Sequence, residues 1–172
     1  NTVVYGPNAN SALPLSSMAD AIARFGQGSE LHRMFKRVTK VNTVTPIYAV
    51  AITESVGAAA TQALTFATTA TANGTARYYV GDEFVDAPIT SGDTVTTIAL
   101  AMQAAINSKL DWAVTSSPVA GVLTLTAKNL GLRGNWLRGY CVILGTGVGT
   151  TSSITAPAFF TGGSTADSSI SA

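Results

Sequence analysis

One cysteine and one histidine stand among 172 residues. A lone cysteine excludes an internal disulfide framework, and the two residues together cannot build a tetrahedral zinc site. Charge is scarce as well. Asp, Glu, Lys and Arg make up 11% of the chain, against about a quarter in an ordinary soluble domain. Either much of the surface is covered by other protein, or it is a neutral Thr/Ser-rich surface. The net charge is +1, and the basic residues are not interleaved with aromatics in a stripe. A nucleic-acid footprint is therefore weak, and no direct nucleic-acid partner is expected. No apolar run reaches the roughly 20 residues that span a bilayer, so stable membrane insertion is not expected. No signal-peptide pattern opens the chain. It begins at Asn1 rather than Met and ends in the polar run "TADSSISA". It reads as an excerpt from a longer protein, or as a processed one.

What is there begins with a strand–helix–helix–strand unit. "TVVYG" reads as a short buried strand closed by Gly6-Pro7. "SSMADAIARFG" reads as a short helix with Ser16 or Ser17 as cap, Met18, Ile22 and Phe25 on one face, and Gly26 as stop. Ser29 can cap a second helix whose first turn carries Glu30. Leu31, Met34, Phe35 and Val38 form its apolar stripe. Arg33, Lys36, Arg37 and Lys40 fall mainly on the other side and toward its negative end, as a solvated or interface face. "PIYAVAIT" follows as a strand, and "ESVGAAATQA" reads as a linker.

The remainder has the texture of short strands: "LTFATTA", "TARYYVG", "EFVDAPI", "WAVTSS", "VLTLTAK", "YCVILG" and "ITAPAFF". One helix interrupts them. Val95, Ile98, Ala99, Met102, Ala105 and Ile106 share its apolar face, opposite Thr96, Thr97, Gln103 and Asn107. The pattern predicts an antiparallel sheet with one helix packed on it. The fold class is α+β: a partial α/β segment followed by a small, mainly antiparallel β domain.

The search for chemistry finds little. His32 has no local nucleophile and carboxylate to complete a triad. Cys141, in "GYCVILG", reads as a small buried hydrophobe. "GTGVGT" lacks the last Gly and the acidic partner of a dinucleotide loop, and the Lys of a P-loop, so a surface loop between two strands is expected. Trp112 and Trp136 are expected to anchor the core. In the alternative, an exposed Trp136 between Arg133 and Arg138 would suit partner or glycan contact. The window "GDEFVDAPITSGDT" carries four of the nine acidic residues. Its spacing does not fit a calcium loop. Gly81-Asp82 reads as a hairpin turn, Pro88 marks an edge strand, and Asp93 is expected to cap the helix that follows. A hydrolase built on Asp82, Asp86 or Asp93 would need two of these carboxylates facing each other across a cleft.

The order of these motifs resembles the early part of Mu-like bacteriophage contractile-tail sheath proteins. The resembling residues are "VVYGP", then Phe25-Gly26-Gln27-Gly28-Ser29-Glu30-Leu31-His32-Arg33-Met34, then "PIYAVAI". "YYVGDEFV", "SGDTVTTIALAMQAAINS", "GVLTLTAKNLGLRGN" and "FFTGG" continue it, over nearly the whole chain. The resemblance implies a non-enzymatic structural subunit without cofactors, housed in the virion tail and assembled in the host bacterial cytoplasm. It implies that residues 1–57 begin an α/β core, 58–160 form an inserted outer domain, and 161–172 return to the core. Implied partners are neighbouring sheath subunits in helical rings, the tail tube protein, and baseplate and tail terminator proteins. Arg33, Lys36, Arg37, Lys40 and Trp136 are the candidate interface residues. The alternative is a stand-alone carbohydrate- or surface-binding β module.

Overall fold

The computed structural model describes residues 12–52, 56–119 and 121–166. The strand expected at residues 2–6 lies outside them. The first unit runs β1 (Ala12–Leu15), α1 (Met18–Phe25), α2 (Glu30–Val38) and β2 (Ile47–Val50). Ser17 has extended backbone and accepts from the Asp20 amide at 3.1 Å, which starts α1. Gly26, at φ 82°, ends it. Ser29 likewise accepts from the His32 amide at 3.2 Å to start α2. β1 was not foreseen in "ALPL". It pairs antiparallel with β2, from Ala12 opposite Val50 to Leu15 opposite Ile47. Proline is tolerated at position 14 because both strands of a two-stranded sheet are edges.

The core of this unit is small: Leu15, Ala21, Phe25, Phe35, Ala49 and Ala51. The expected α2 stripe is only partly used. Phe35 is buried, but Met34 and Val38 are 54% and 39% exposed. His32 turns inward instead. A two-stranded sheet cannot cover the whole stripe.

The second unit contains β3 (Ala59–Thr65), β4 (Gly74–Val80), β5 (Glu83–Ile89), α3 (Val95–Ser108), β6 (Val114–Val119), β7 (Val122–Leu130), β8 (Arg138–Leu144) and β9 (Ala158–Phe159). The single sheet expected there is in fact two antiparallel sheets, in the orders β3-β7-β6 and β5-β4-β8-β9. α3 packs against β5 and β4 of one and β6 and β7 of the other. Ile98, Ala99, Met102 and Ile106 are its buried face, as the periodicity predicts. They meet Leu64, Leu123 and Leu125 from one sheet and Tyr78, Val80 and Cys141 from the other in a single core.

A buried polar node ties the sheets together. The Tyr78 hydroxyl donates to Gln62 Oε1 at 2.5 Å, and Gln62 Nε2 donates to the carbonyls of Ala158 and Gly139 at 2.9 and 3.3 Å. Both N–H groups of the Gln62 amide and its oxygen thereby have partners.

Three boundaries differ from expectation. The "linker" 54–63 contains most of β3, whose residues alternate in burial so that Ala60, Gln62 and Leu64 face inward. Alanine is a poor strand former, and pairing with β7 overrides that weak preference. Trp112 precedes β6 rather than lying in it. Asp93 is not the cap of α3. Thr94 is, accepting from the Thr97 amide at 3.2 Å. Asp93 sits one residue too early: its carboxylate accepts from the Thr90 amide at 2.7 Å and its carbonyl from the Ala70 amide at 2.9 Å. Those two contacts hold Asp93 in the turn, before the helix begins.

The hairpin reading holds. Val80 faces Glu83 across the two-residue turn Gly81-Asp82, with Gly81 at φ 63°, and β5 with Pro88 is a sheet edge. The unit also closes on itself where the chain enters and leaves. Thr61 and Thr161 exchange two backbone hydrogen bonds of 2.7 and 2.9 Å, and the Ser164 amide donates to the Ala58 carbonyl at 3.2 Å.

Two stability outcomes follow. Thr94→Ala should lower the unfolding free energy by about 1 kcal/mol in urea denaturation, through loss of the cap. Gly139→Ala should cost about 1–3 kcal/mol by overpacking, because a Cβ there would stand 2.5 Å from Gln62 Oε1 and against the Tyr78 hydroxyl. In the same measurement, no change for Gly139→Ala would mean that the polar node tolerates rearrangement.

Candidate functional site

The carboxylates singled out from the sequence are each occupied separately. Asp82 pairs with Arg37 at 2.7 Å. Asp86 takes Arg77 in a two-point contact at 2.7 and 2.8 Å, which holds its pKa below the ordinary carboxylate value. Asp93 closes its turn. Each of the three thus has its own partner: an arginine for Asp82 and for Asp86, a backbone amide for Asp93. Among the described residues no group of three His, Cys, Asp or Glu side chains comes together to hold a metal. No helix among them is long and apolar enough to cross a membrane.

Cys141 is buried, and burial pushes its thiol up to about 12, so it is not a ready nucleophile. The "GTGVGT" loop is pinned by its carbonyls rather than offering amides to a phosphate. Gly147 accepts from the Thr71 hydroxyl, Gly149 from the Thr68 hydroxyl, and Val148 from the Thr71 amide, each at 2.8 Å. The two tryptophans part company. Trp112 is fully buried, edge-on to Tyr78 with ring centroids 6.1 Å apart. Trp136 ends a 3-10 turn over Leu132–Trp136 and is 82% exposed, which corrects its assignment to the core. Arg138 covers Phe159 at 4.2 Å.

The basic face of α2 is where the structure gathers the predicted residues. Lys36 is ion-paired with Asp111, which lies between α3 and β6. Arg37 reaches Asp82 in the β4–β5 turn. At the start of the helix Glu30 takes Arg133 of the 3-10 turn at 2.8 Å. Arg33 is partly buried, with an Nε atom that has no hydrogen-bond partner. Lys40 is exposed. Lys36 and Arg37 of this face thus meet the β module of the same chain, while Lys40 stays exposed.

The two units also come close at Gly28, φ 83°. A Cβ there would lie 2.8 Å from the Leu110 carbonyl and 2.9 Å from the Trp112 carbonyl. Lys128 Nζ donates to the same Leu110 carbonyl at 2.7 Å. His32 belongs to this junction. Its Nδ1 accepts from the Gly28 amide at 3.1 Å, and burial depresses its pKa. Sequence reading missed this role, because the pairing of His32 with a backbone amide four residues earlier carries no motif.

No protein-family model matches the chain. Comparison with characterised proteins finds the Mu-like prophage FluMu tail sheath protein of Haemophilus influenzae, 30% identical over 128 residues. The chain is a distant homologue of part of that sheath protein. The match covers 74% of this chain and 26% of the sheath protein, so the chain spans about a quarter of its relative's length. The similarity to the sheath protein thus takes in most of the chain, and the resemblance read from the ordered motifs is one of common descent.

His32 supplies a pH dependence. Its folded-state pKa lies below the ordinary value of about 6.5, so the unfolded chain takes up the proton first as pH falls. The contribution is complete above about pH 6.5 and declines below it. Urea unfolding at about pH 7.5 and about pH 5.5 should therefore show lower stability at the acid value. The ordinary carboxylate range lies lower still, at about 4, and Asp86 and Asp111 are shifted further down. His32→Asn, which keeps an acceptor but cannot titrate there, should flatten the difference. An equal acid loss in that variant would exclude His32 as the cause.

Proposed function

We propose that the chain is part of a contractile phage tail sheath subunit, a structural and non-enzymatic protein. In this reading the subunit polymerises in helical rings around a tail tube and drives its injection by contraction. The observation that carries the reading is the similarity to a tail sheath protein over 74% of the chain. Residues 1–57 would begin the inner core, 58–160 form an outer insertion, and 161–172 return.

Two structural features support that division. The segments 58–61 and 161–164, where the chain enters and leaves the module, lie side by side, as they must if a compact module is inserted into another fold. The helical unit also presents unpartnered apolar side chains: Met34, Val38, Val41, Val44 and Tyr48 are between 39% and 90% exposed. That suits a fragment of a larger core or a subunit with close neighbours.

The charge pattern fits assembly through neutral surfaces. Six of the chain's acidic residues, Asp20, Glu30, Asp82, Glu83, Asp86 and Asp111, are ion-paired within it. Contraction would then draw its free energy from the difference between two sets of subunit contacts. The partners would be other sheath subunits, the tube, and the baseplate and terminator proteins, in the virion tail.

The test is immunogold electron microscopy with antibody raised against the purified chain. Label along the length of contractile tails is expected in particles from the element that encodes it. Label confined to capsids or fibres would overturn the reading. One observation favours a second reading, a surface-binding β module: the exposed indole of Trp136. Glycan-array binding that disappears in Trp136→Ala would support it, and binding equal to background would remove it.

A further inference from the structure

The helical unit and the β module have separate apolar cores with no residue in common. The contacts described between them are polar. Interfaces of this kind leave two parts free to move unless they are large and apolar. Here the contacts concentrate on one helix. Lys36 meets Asp111 beyond the end of α3, Arg37 meets Asp82 in the β4–β5 turn, and Glu30 meets Arg133 in the 3-10 turn. Three separate elements of the β module therefore grip α2 along its length.

Beneath them, Arg33 feels the negative charges of Glu83, Asp82 and Glu30, yet its buried Nε is unpaired. A buried donor without a partner disfavours the closed arrangement and would regain water if the units parted. The junction thus sets attractive pairs against an unsatisfied group, with no shared apolar core to settle the outcome.

We propose that α2 is a charge latch: its ion pairs hold the β module in one orientation on the helical unit. Removing or screening those pairs frees the module to reorient while both cores stay folded. The Arg37–Asp82 pair is the more open, with side chains 55% and 78% exposed, and it weakens first in salt. Lys36–Asp111, at 41% and 24%, is more sheltered and carries more of the hold. The latch needs no particular assembly and goes beyond the sheath reading. In a sheath subunit it would couple the outer module rigidly to the core.

Residual dipolar couplings on the whole 172-residue chain test it. In low salt one alignment tensor should fit the amides of residues 15–50 and 59–160 together. Lys36→Asp should require two tensors, with amide shift dispersion retained in both units. The swap Lys36→Asp with Asp111→Lys should return a single tensor. A single tensor in Lys36→Asp, or a swap that fails to restore it, would overturn the latch. Should Lys36→Asp not fold, the surface pair serves instead. Arg37→Glu in about 1 M salt, where the Debye length is about 3 Å, should separate the tensors. One common tensor under those conditions would equally overturn the proposal.

Discussion

The short turn from Lys109 to Trp112 is the point on which the molecule's arrangement depends. Trp112 is sunk in the β core against Tyr78, so its backbone is held firmly. Its carbonyl and that of Leu110 form the surface against which Gly28 rests. Asp111, between them, receives Lys36. One segment therefore converts apolar burial on one side into a fixed polar docking surface on the other. Only glycine suits position 28, because its φ of 83° and the two facing carbonyls both exclude a side chain.

Scarcity of charge sharpens this arrangement. Among the described residues most ionisable groups are committed to pairs inside the chain, and three of the six ion pairs there cross between the helical unit and the β module. Each exposed pair contributes little alone, on the order of 0–1 kcal/mol. Together they select one orientation among several that backbone connectivity would allow. The surface left over is poor in charge and, on the helical unit, partly apolar. Such a surface is suited to contact with more protein.

Within the β module, the Gln62–Tyr78 node plays the complementary part. α3 supplies apolar area to both sheets, but apolar contact alone is indifferent to small slips between them. A fully bonded amide in the core is not, because a shift would leave its donors and acceptors unpaired. The node also accounts for the small residue at Gly139, where no side chain fits.

Much of this was legible in the sequence. The caps at Ser17 and Ser29, the Gly81-Asp82 hairpin, the edge strand with Pro88 and the buried face of α3 all follow from local rules. Each rests on interactions within a few residues, so sequence determined them. The resemblance to sheath proteins was legible for a related reason, being carried by the order of such local motifs. β3 has the sequence of a linker because its alanines have little preference of their own, and the paired strand β7 lies far along the chain. Asp93 and Thr94 are both good caps, and only the contact of Asp93 with Thr90 and Ala70 decided between them. Trp136 reads as a core anchor and is exposed instead, since an indole in a loop packs in or out according to what stands beside it. The basic face of α2 has the same pattern whether it meets water, a partner or its own chain. For Lys36 and Arg37 the tertiary structure supplies partners in the chain itself, because Asp111 and Asp82 come to the helix only when the strands have paired.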